Sequence, residues 1–125
     1  MKFRTWNIRG LGCKRKQRNL SSRLKEEKPN MVFIEETMCS MDKIKEIHSK
    51  WLSRYQYVEV KADSLAGGIL TLWDPKKLRI LDAEASRNYL LLVIQLVGDK
   101  EIYMITNFYI PQKLEDKLKL LTSVE

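Results

Sequence analysis

Met31-Val32-Phe33-Ile34-Glu35-Glu36-Thr37 is the stretch that decides the fold: four apolar residues end abruptly in two carboxylates and a threonine. A run this short, with β-branched and aromatic members, reads as a strand buried on both faces. Side chains alternate along a strand, so Glu35 and Glu36 are expected on opposite faces. Only one of them can then enter a given pocket. A buried carboxylate is costly unless it is paired, hydrogen-bonded or bound to a cation. At the carboxyl end of a strand it is a candidate metal ligand or acid–base group. The alternative is that both glutamates stand in water where a loop begins.

Upstream, Phe3 to Ile8 reads as a first strand, closed by Arg9-Gly10-Leu11-Gly12. Two glycines around Leu11 permit a tight loop and close backbone approach to a ligand. From about Lys14 to Lys28, Leu20 and Leu24 recur at helical spacing among charges, the pattern of a basic amphipathic helix. Pro29 stops it and Asn30 favours the turn. Strand, helix and strand with short joints form a βαβ unit, so the two strands should be parallel. Their carboxyl ends then share an edge, and Asn7 becomes a neighbour of Glu36. Ligands of open α/β sheets bind along such edges.

Downstream, Ile44, Ile47, Trp51 and Leu52 form an apolar stripe on a second helix, about Met41 to Ser53. It carries the only histidine, His48, expected at a surface or edge rather than in catalysis. Strands follow at Tyr55–Val60, Ile69–Trp73 and Leu78–Ala83, with turns at Ala66-Gly67-Gly68 and Asp74-Pro75. Asn88–Val97 and Glu101–Ile110 read as a hairpin around Gly98-Asp99-Lys100. Alternation sets Ile102, Met104 and Thr106 on one face and Tyr103, Ile105, Asn107 and Tyr109 on the other. Pro111 ends this strand, and Lys113 to Leu121 resembles the start of a closing helix. There is no internal repeat or linker, so residues 1–125 are expected to form a single domain.

With 125 residues, 44% of them hydrophobic, one core can form. Lys and Arg outnumber Asp and Glu by 23 to 16, a formal charge of +7. That favours a polyanionic partner, nucleic acid before a membrane surface. Arg9, Lys14, Arg15, Lys16 and Arg18 crowd the first segment and are the candidate nucleic-acid contacts; a solvated helix face is the competing reading. Cys13 and Cys39 lie in no metal or redox spacing and are expected as free thiols in a reducing compartment. No apolar segment at the amino terminus resembles a signal peptide. Leu90 to Val97 is far shorter than the ~20 residues of a membrane helix. The expected location is intracellular, nuclear or cytoplasmic, with no membrane partner.

Asn7, Glu36 and the pair Asn107 and Tyr109 all end apolar strands. A carboxylate, carboxamides and a phenol on one edge would suit a hard divalent cation such as Mg²⁺ together with a phosphate. In order along the chain, Trp6-Asn7-Ile8-Arg9-Gly10, Lys28-Pro29-Asn30 through Glu35-Glu36-Thr37, Ala66-Gly67-Gly68 through Trp73-Asp74, and Tyr109-Ile110-Pro111 resemble the endonuclease/exonuclease/phosphatase superfamily. Within it, the likeness is to the apurinic-endonuclease-like domain of LINE-type retrotransposons, particularly plant ones. The resemblance implies an α+β fold: half of a deoxyribonuclease I-like four-layer α/β sandwich, with one mixed β-sheet and helices on one face. It implies that Glu36 and Asn7 hold a metal, that Tyr109 contacts the scissile phosphate, and that Asn107 assists. Family members cut phosphodiesters with a metal-activated water.

The departures are equally specific. Glu35 stands where relatives commonly carry glutamine, and is expected to face away from the site. Gln112 follows Tyr-x-Pro where relatives carry asparagine or aspartate. The 125 residues contain neither the family's Gly-Asp-x-Asn motif nor its terminal Asp-His pair. The expectation is an amino-terminal portion with little or no nuclease activity by itself. An uncovered apolar sheet face is also expected, and with it a homodimer or another protein partner covering that face.

Overall fold

The computed structural model describes residues 1–60, 68–86 and 89–108. In chain order these form β1 (Phe3–Asn7), α1 (Lys14–Glu27), β2 (Met31–Glu35), α2 (Met41–Trp51), β3 (Gln56–Val60), β4 (Ile69–Trp73), β5 (Leu78–Ala85), β6 (Tyr89–Leu96) and β7 (Ile102–Phe108). β1 and β2 are parallel, paired from Phe3↔Met31 to Asn7↔Glu35, as the short βαβ joints require. β4 lies antiparallel to both β2 and β3, giving the order β1-β2-β4-β3.

The strands do not share one sheet. β5, β6 and β7 form a separate antiparallel sheet. The reason lies in β2, whose residues Met31 to Ile34 are buried on both faces. Val32 and Ile34 pack with Leu20 and Leu24 of α1 and with Ile44 and Ile47 of α2. Met31 and Phe33 point the other way, into Leu78, Leu90, Leu92 and Ile94 of the second sheet. An apolar surface on both sides of one sheet demands a layer on each. The layers are therefore helices, mixed sheet, antiparallel sheet.

That face of the mixed sheet is covered by the chain's own β5–β6–β7. What remains open is the outer face of the second sheet, where Ile102 and Met104 are exposed, as is Leu81 at the bulge between Ile80 and Asp82.

The turn between the sheets is tied down. Asp74, buried, accepts from the Lys76 N–H at 3.0 Å through Oδ1. Its own N–H donates to the Asn30 carbonyl at 3.0 Å. α1 ends on Lys28 in a left-handed conformation, φ 48°, whose N–H closes on Leu24. Trp51 Nε1–H donates to Gln17 Oε1 at 3.0 Å, and Gln17 Nε2–H donates to the Leu11 carbonyl at 3.0 Å. His48 is a pin as well: Nε2–H donates to the Tyr55 carbonyl at 2.6 Å, which ties the end of α2 to the start of the next strand. Cys13 and Cys39 are free thiols. No described helix is long and apolar enough to cross a membrane.

Candidate active site

The parallel ladder of β1 and β2 continues past both strands into the loop before α1. Ile8, Gly10 and Leu11 N–H groups donate to the carbonyls of Glu35, Glu36 and Thr37 at 3.1, 2.8 and 2.8 Å. The Arg9–Leu11 loop is thereby zipped onto the end of β2. The fit carries local strain. Arg9 (φ 47°), Glu36 (φ 57°) and Met38 (φ 53°) all adopt positive φ, and so does Gly10 at 98°. Among the described residues the one other non-glycine with positive φ is Lys28, the α1 cap. Such conformations cost of order 1–3 kcal/mol each and gather at functional sites.

The positive φ at Glu36 also undoes the alternation expected from sequence. Met31 and Phe33 face the second sheet, so Glu35 continues that face. Its parallel partner is Asn7. Glu35 therefore looks to the same side as Asn7, not away. Glu36 follows after a reversed backbone and is 7% exposed. Its Oε2 lies 3.8 Å from Arg9 Nε. Burial, and then the neighbouring Glu36 charge, push the Glu35 carboxyl above the ordinary glutamate range.

The sign of that shift is testable. A raised carboxyl holds its proton more tightly in the native than in the unfolded state, so stability falls as pH rises between the two values. Glu35→Gln is expected to melt at a higher temperature than the parent at pH 7. The gap should close as pH falls below about 4, where the parent glutamate becomes protonated in both states. A variant less stable than the parent at pH 7 would remove Glu35 from this environment.

The donor type at this edge is the one a hard cation takes. The donors are two carboxylates and the carboxamide of exposed Asn7, all oxygen. Mg²⁺ takes one or two protein carboxylates and leaves positions for phosphate and water. No group of three or more His, Cys, Asp or Glu occurs among the described residues.

Asn107 sits on the face of β7 turned toward the mixed sheet, opposite exposed Thr106, as alternation requires. It is 8% exposed, and its Nδ2 has no hydrogen-bond partner. A buried donor left unpaired costs about 1–3 kcal/mol, which an anionic oxygen would recover. Strand direction carries it toward the right edge. Leu78 begins β5 beside Asp74, at the amino-terminal end of β2. The opposite end of that sheet is where Leu90 pairs with Asn107. Tyr109 lies outside the described residues.

The basic residues divide. Arg9, Lys14, Arg15 and Arg18 are exposed at or beside this edge. Lys16 instead donates to the Ile8 and Arg9 carbonyls at 3.0 and 2.6 Å, which fastens the loop. The first turn of α1 holds no acid, and Cys13 at its N-cap makes no side-chain cap bond. Cations at the positive end of a helix dipole are unfavourable unless an anion joins them. The backbone N–H groups of Lys16, and then of Arg15, face the Cys13 sulfur without closing a cap bond and draw its thiol below the ordinary range.

Sequence reasoning missed Thr37 and Gly68. Thr37 is 0% exposed, with no partner for Oγ1. It presses on Gly68, where a Cβ would lie 2.6 Å from that hydroxyl. The Gly-Gly pair was visible; the threonine it accommodates was not.

This layering matches part of the deoxyribonuclease I-like fold of endonuclease/exonuclease/phosphatase structures. Zebrafish (D. rerio) TDP2 complexed with single-strand DNA product superimposes with a TM-score of 0.76 at 17% identity, over 96% of this chain and 51% of that one. The Bacteroides vulgatus endonuclease/exonuclease/phosphatase gives 0.69 at 13% identity, over 96% and 57%. AP endonuclease from Leishmania major gives 0.64 at 20% identity, over 88% and 40%. The chain thus spans about half the length of these solved structures. No protein-family profile matches it, and no curated protein sequence does.

Proposed function

We propose that this chain is the amino-terminal portion of a Mg²⁺-dependent endonuclease acting on DNA, of the LINE-retrotransposon type, working inside the cell. The observation that supports the reading is the Asn7↔Glu35 register, followed in sequence by buried Glu36 at a left-handed backbone position. Glu36 and Asn7 would hold the ion, with Glu35 adding charge. When bound, the ion supplies phosphate neutralisation and water activation. Asn107 Nδ2–H is a donor for a phosphate oxygen, and Tyr109 is assigned the same phosphate by resemblance. Arg9, Lys14, Arg15 and Arg18 would receive the flanking strand.

These 125 residues include no base or water-orienting motif, and losing such groups removes orders of magnitude in rate. The chain alone is therefore expected to bind Mg²⁺ without cutting. In a metal titration followed by NMR, the Glu36 and Asn7 signals should move together and stay still in Glu36→Gln. A nuclease assay on the same sample should show no turnover. Turnover abolished by Glu36→Gln would overturn the inactivity; no shift at either residue would overturn the metal site.

A second reading rests on Lys14, Arg15 and Arg18, which form no ion pair among the described residues. In it the chain is a non-catalytic module that binds nucleic acid, or pairs with an intact relative. A homodimer or other partner over exposed Ile102 and Met104 belongs to this reading, with a sedimentation mass that rises with concentration. DNA binding that survives Glu36→Gln but fails in Lys14→Gln/Arg15→Gln/Arg18→Gln would favour it.

A further inference from the structure

The two helices end beside a second feature. α1 leaves the carboxyl edge of β1 and runs 14 residues, about 21 Å at 1.5 Å per residue. At its far end, Ser21, Lys25, Lys50, Trp51, Ser53 and Arg54 line an open cleft of about 260 Å³. None of this belongs to the candidate active site.

The cleft has three cations and no carboxylate in its lining. Lys25, Lys50 and Arg54 are exposed and make no ion pair among the described residues. Of the two acids that end α1, Glu27 is taken by Arg4 at 2.9 Å and Arg23 at 3.8 Å, and Glu26, exposed beside Lys25, does not line the cleft. Helix carboxyl termini favour cations, and that accounts for Lys25 and Lys50 in the last turns of α1 and α2. It does not account for Arg54, which lies beyond α2, nor for the aromatic floor. Lys50 Nζ is 5.3 Å from the Trp51 ring centroid, and Arg54 Cζ is 5.9 Å from that of Tyr55. The floor is fixed: Trp51 is held by Gln17, and Tyr55 is buried with its carbonyl bound to His48. Ser21 and Ser53 add hydroxyl donors.

Basic groups over rigid aromatic rings are what a nucleic-acid strand meets on a single-strand platform. Arginine's planar fork suits phosphate oxygens. The volume falls below the ~300 Å³ at which sites for drug-sized ligands begin, so the cleft accommodates one phosphate and part of its ester rather than a whole cofactor. We propose that this cleft binds a backbone phosphate of single-stranded nucleic acid. Lys25, Lys50 and Arg54 contact the phosphate, and an adjoining base rests against Trp51.

The test uses two probes, inorganic phosphate and a short oligothymidylate, each titrated into the whole chain. Both should shift the Trp51 indole N–H and Arg54 Nε–H signals in NMR. Lys25→Gln/Lys50→Gln/Arg54→Gln should weaken oligonucleotide binding several-fold. It should also flatten the salt dependence, log K against log salt, by about 0.7 for each phosphate no longer neutralised. Lys14→Gln/Arg15→Gln/Arg18→Gln, at the other end of α1, should leave the phosphate-induced Trp51 shift in place. The proposal fails if neither probe moves Trp51, or if oligonucleotide binding is unchanged in the cleft variant. Phosphate bound without oligonucleotide would overturn the nucleic-acid assignment. The shift mapping needs no variant, so a misfolded variant leaves the proposal open to refutation.

Discussion

Gly68→Ala should cost this chain a large part of its stability. Two penalties coincide there. The backbone at Gly68 has φ 141°, which an L side chain rarely adopts, and the added Cβ would sit 2.6 Å from Thr37 Oγ1. Strain of the first kind is worth roughly 1–3 kcal/mol. Overpacking of the second kind costs roughly the same again. Typical domains are stable by only about 5–15 kcal/mol. Thr37 is badly placed to yield, since it is fully buried and its carbonyl holds the Leu11 N–H at 2.8 Å.

A double-mutant cycle separates the two penalties. Thr37→Ala removes a hydroxyl that has no partner together with one buried methyl, so alone it should cost only about 1 kcal/mol. Combined with Gly68→Ala it leaves the remaining contact to Thr37, at 3.9 Å, ordinary. The double variant should therefore recover the steric share and keep the backbone share, a clear departure from additivity. Urea denaturation reads all four corners. A Gly68→Ala loss below about 1 kcal/mol would mean that Thr37 and Gly68 are not pressed together. The consequence reaches the site, because Ile69, the next residue, pairs with Glu35, and Thr37 follows Glu36. A threonine pushed off Gly68 drags the carboxylate end of β2 with it, so Gly68→Ala should also weaken metal binding.

Most of the element order was legible because each strand and helix carries its own period. β4 coincides with its expected span, and α1 ends one residue early at Glu27. The deoxyribonuclease I-like half-sandwich was legible from motifs in order, and the structural likenesses bear out that fold. Partition into two sheets was not legible. Nothing in Leu78 to Leu96 states which surface its buried alternation meets; only contact with Met31 and Phe33 decides it. The juxtaposition of Asn7 with the end of β2 followed from parallel pairing alone. The face of Glu35 did not, because alternation through Glu36 assumes an extended backbone there, and Glu36 is left-handed. A left-handed glutamate leaves no composition signal. Lys16 shows the same limit: its charge reads as a nucleic-acid contact, while its position makes it a loop tie.

Phe33→Ala is the second large expected effect, and it interrogates the partition directly. Phe33 is buried and belongs to the cluster formed with Leu90, Leu92 and Ile94 across the sheet interface. Its backbone is flanked by Thr5 and Thr71, so the site cannot easily collapse sideways. Large-to-small changes of this type cost about 3–5 kcal/mol. Ile34→Ala, one residue on, should cost about 2–5 kcal/mol for loss of packing beneath the helices instead. The two are distinguishable by native-state hydrogen exchange. Phe33→Ala should lower protection first in β6 and β7, and Ile34→Ala first in α1 and α2, because local stability follows local packing. Equal loss over the whole chain would mean that the layers unfold as one unit. A Phe33→Ala cost below about 1 kcal/mol, against the 3–5 expected, would mean that β5–β6–β7 does not rest on β2. Phe33 also lies on the Glu35 face, two residues before it. A cavity there lets water under the carboxylate, so in this variant the Glu35 carboxyl should titrate closer to an ordinary glutamate as its burial is relieved.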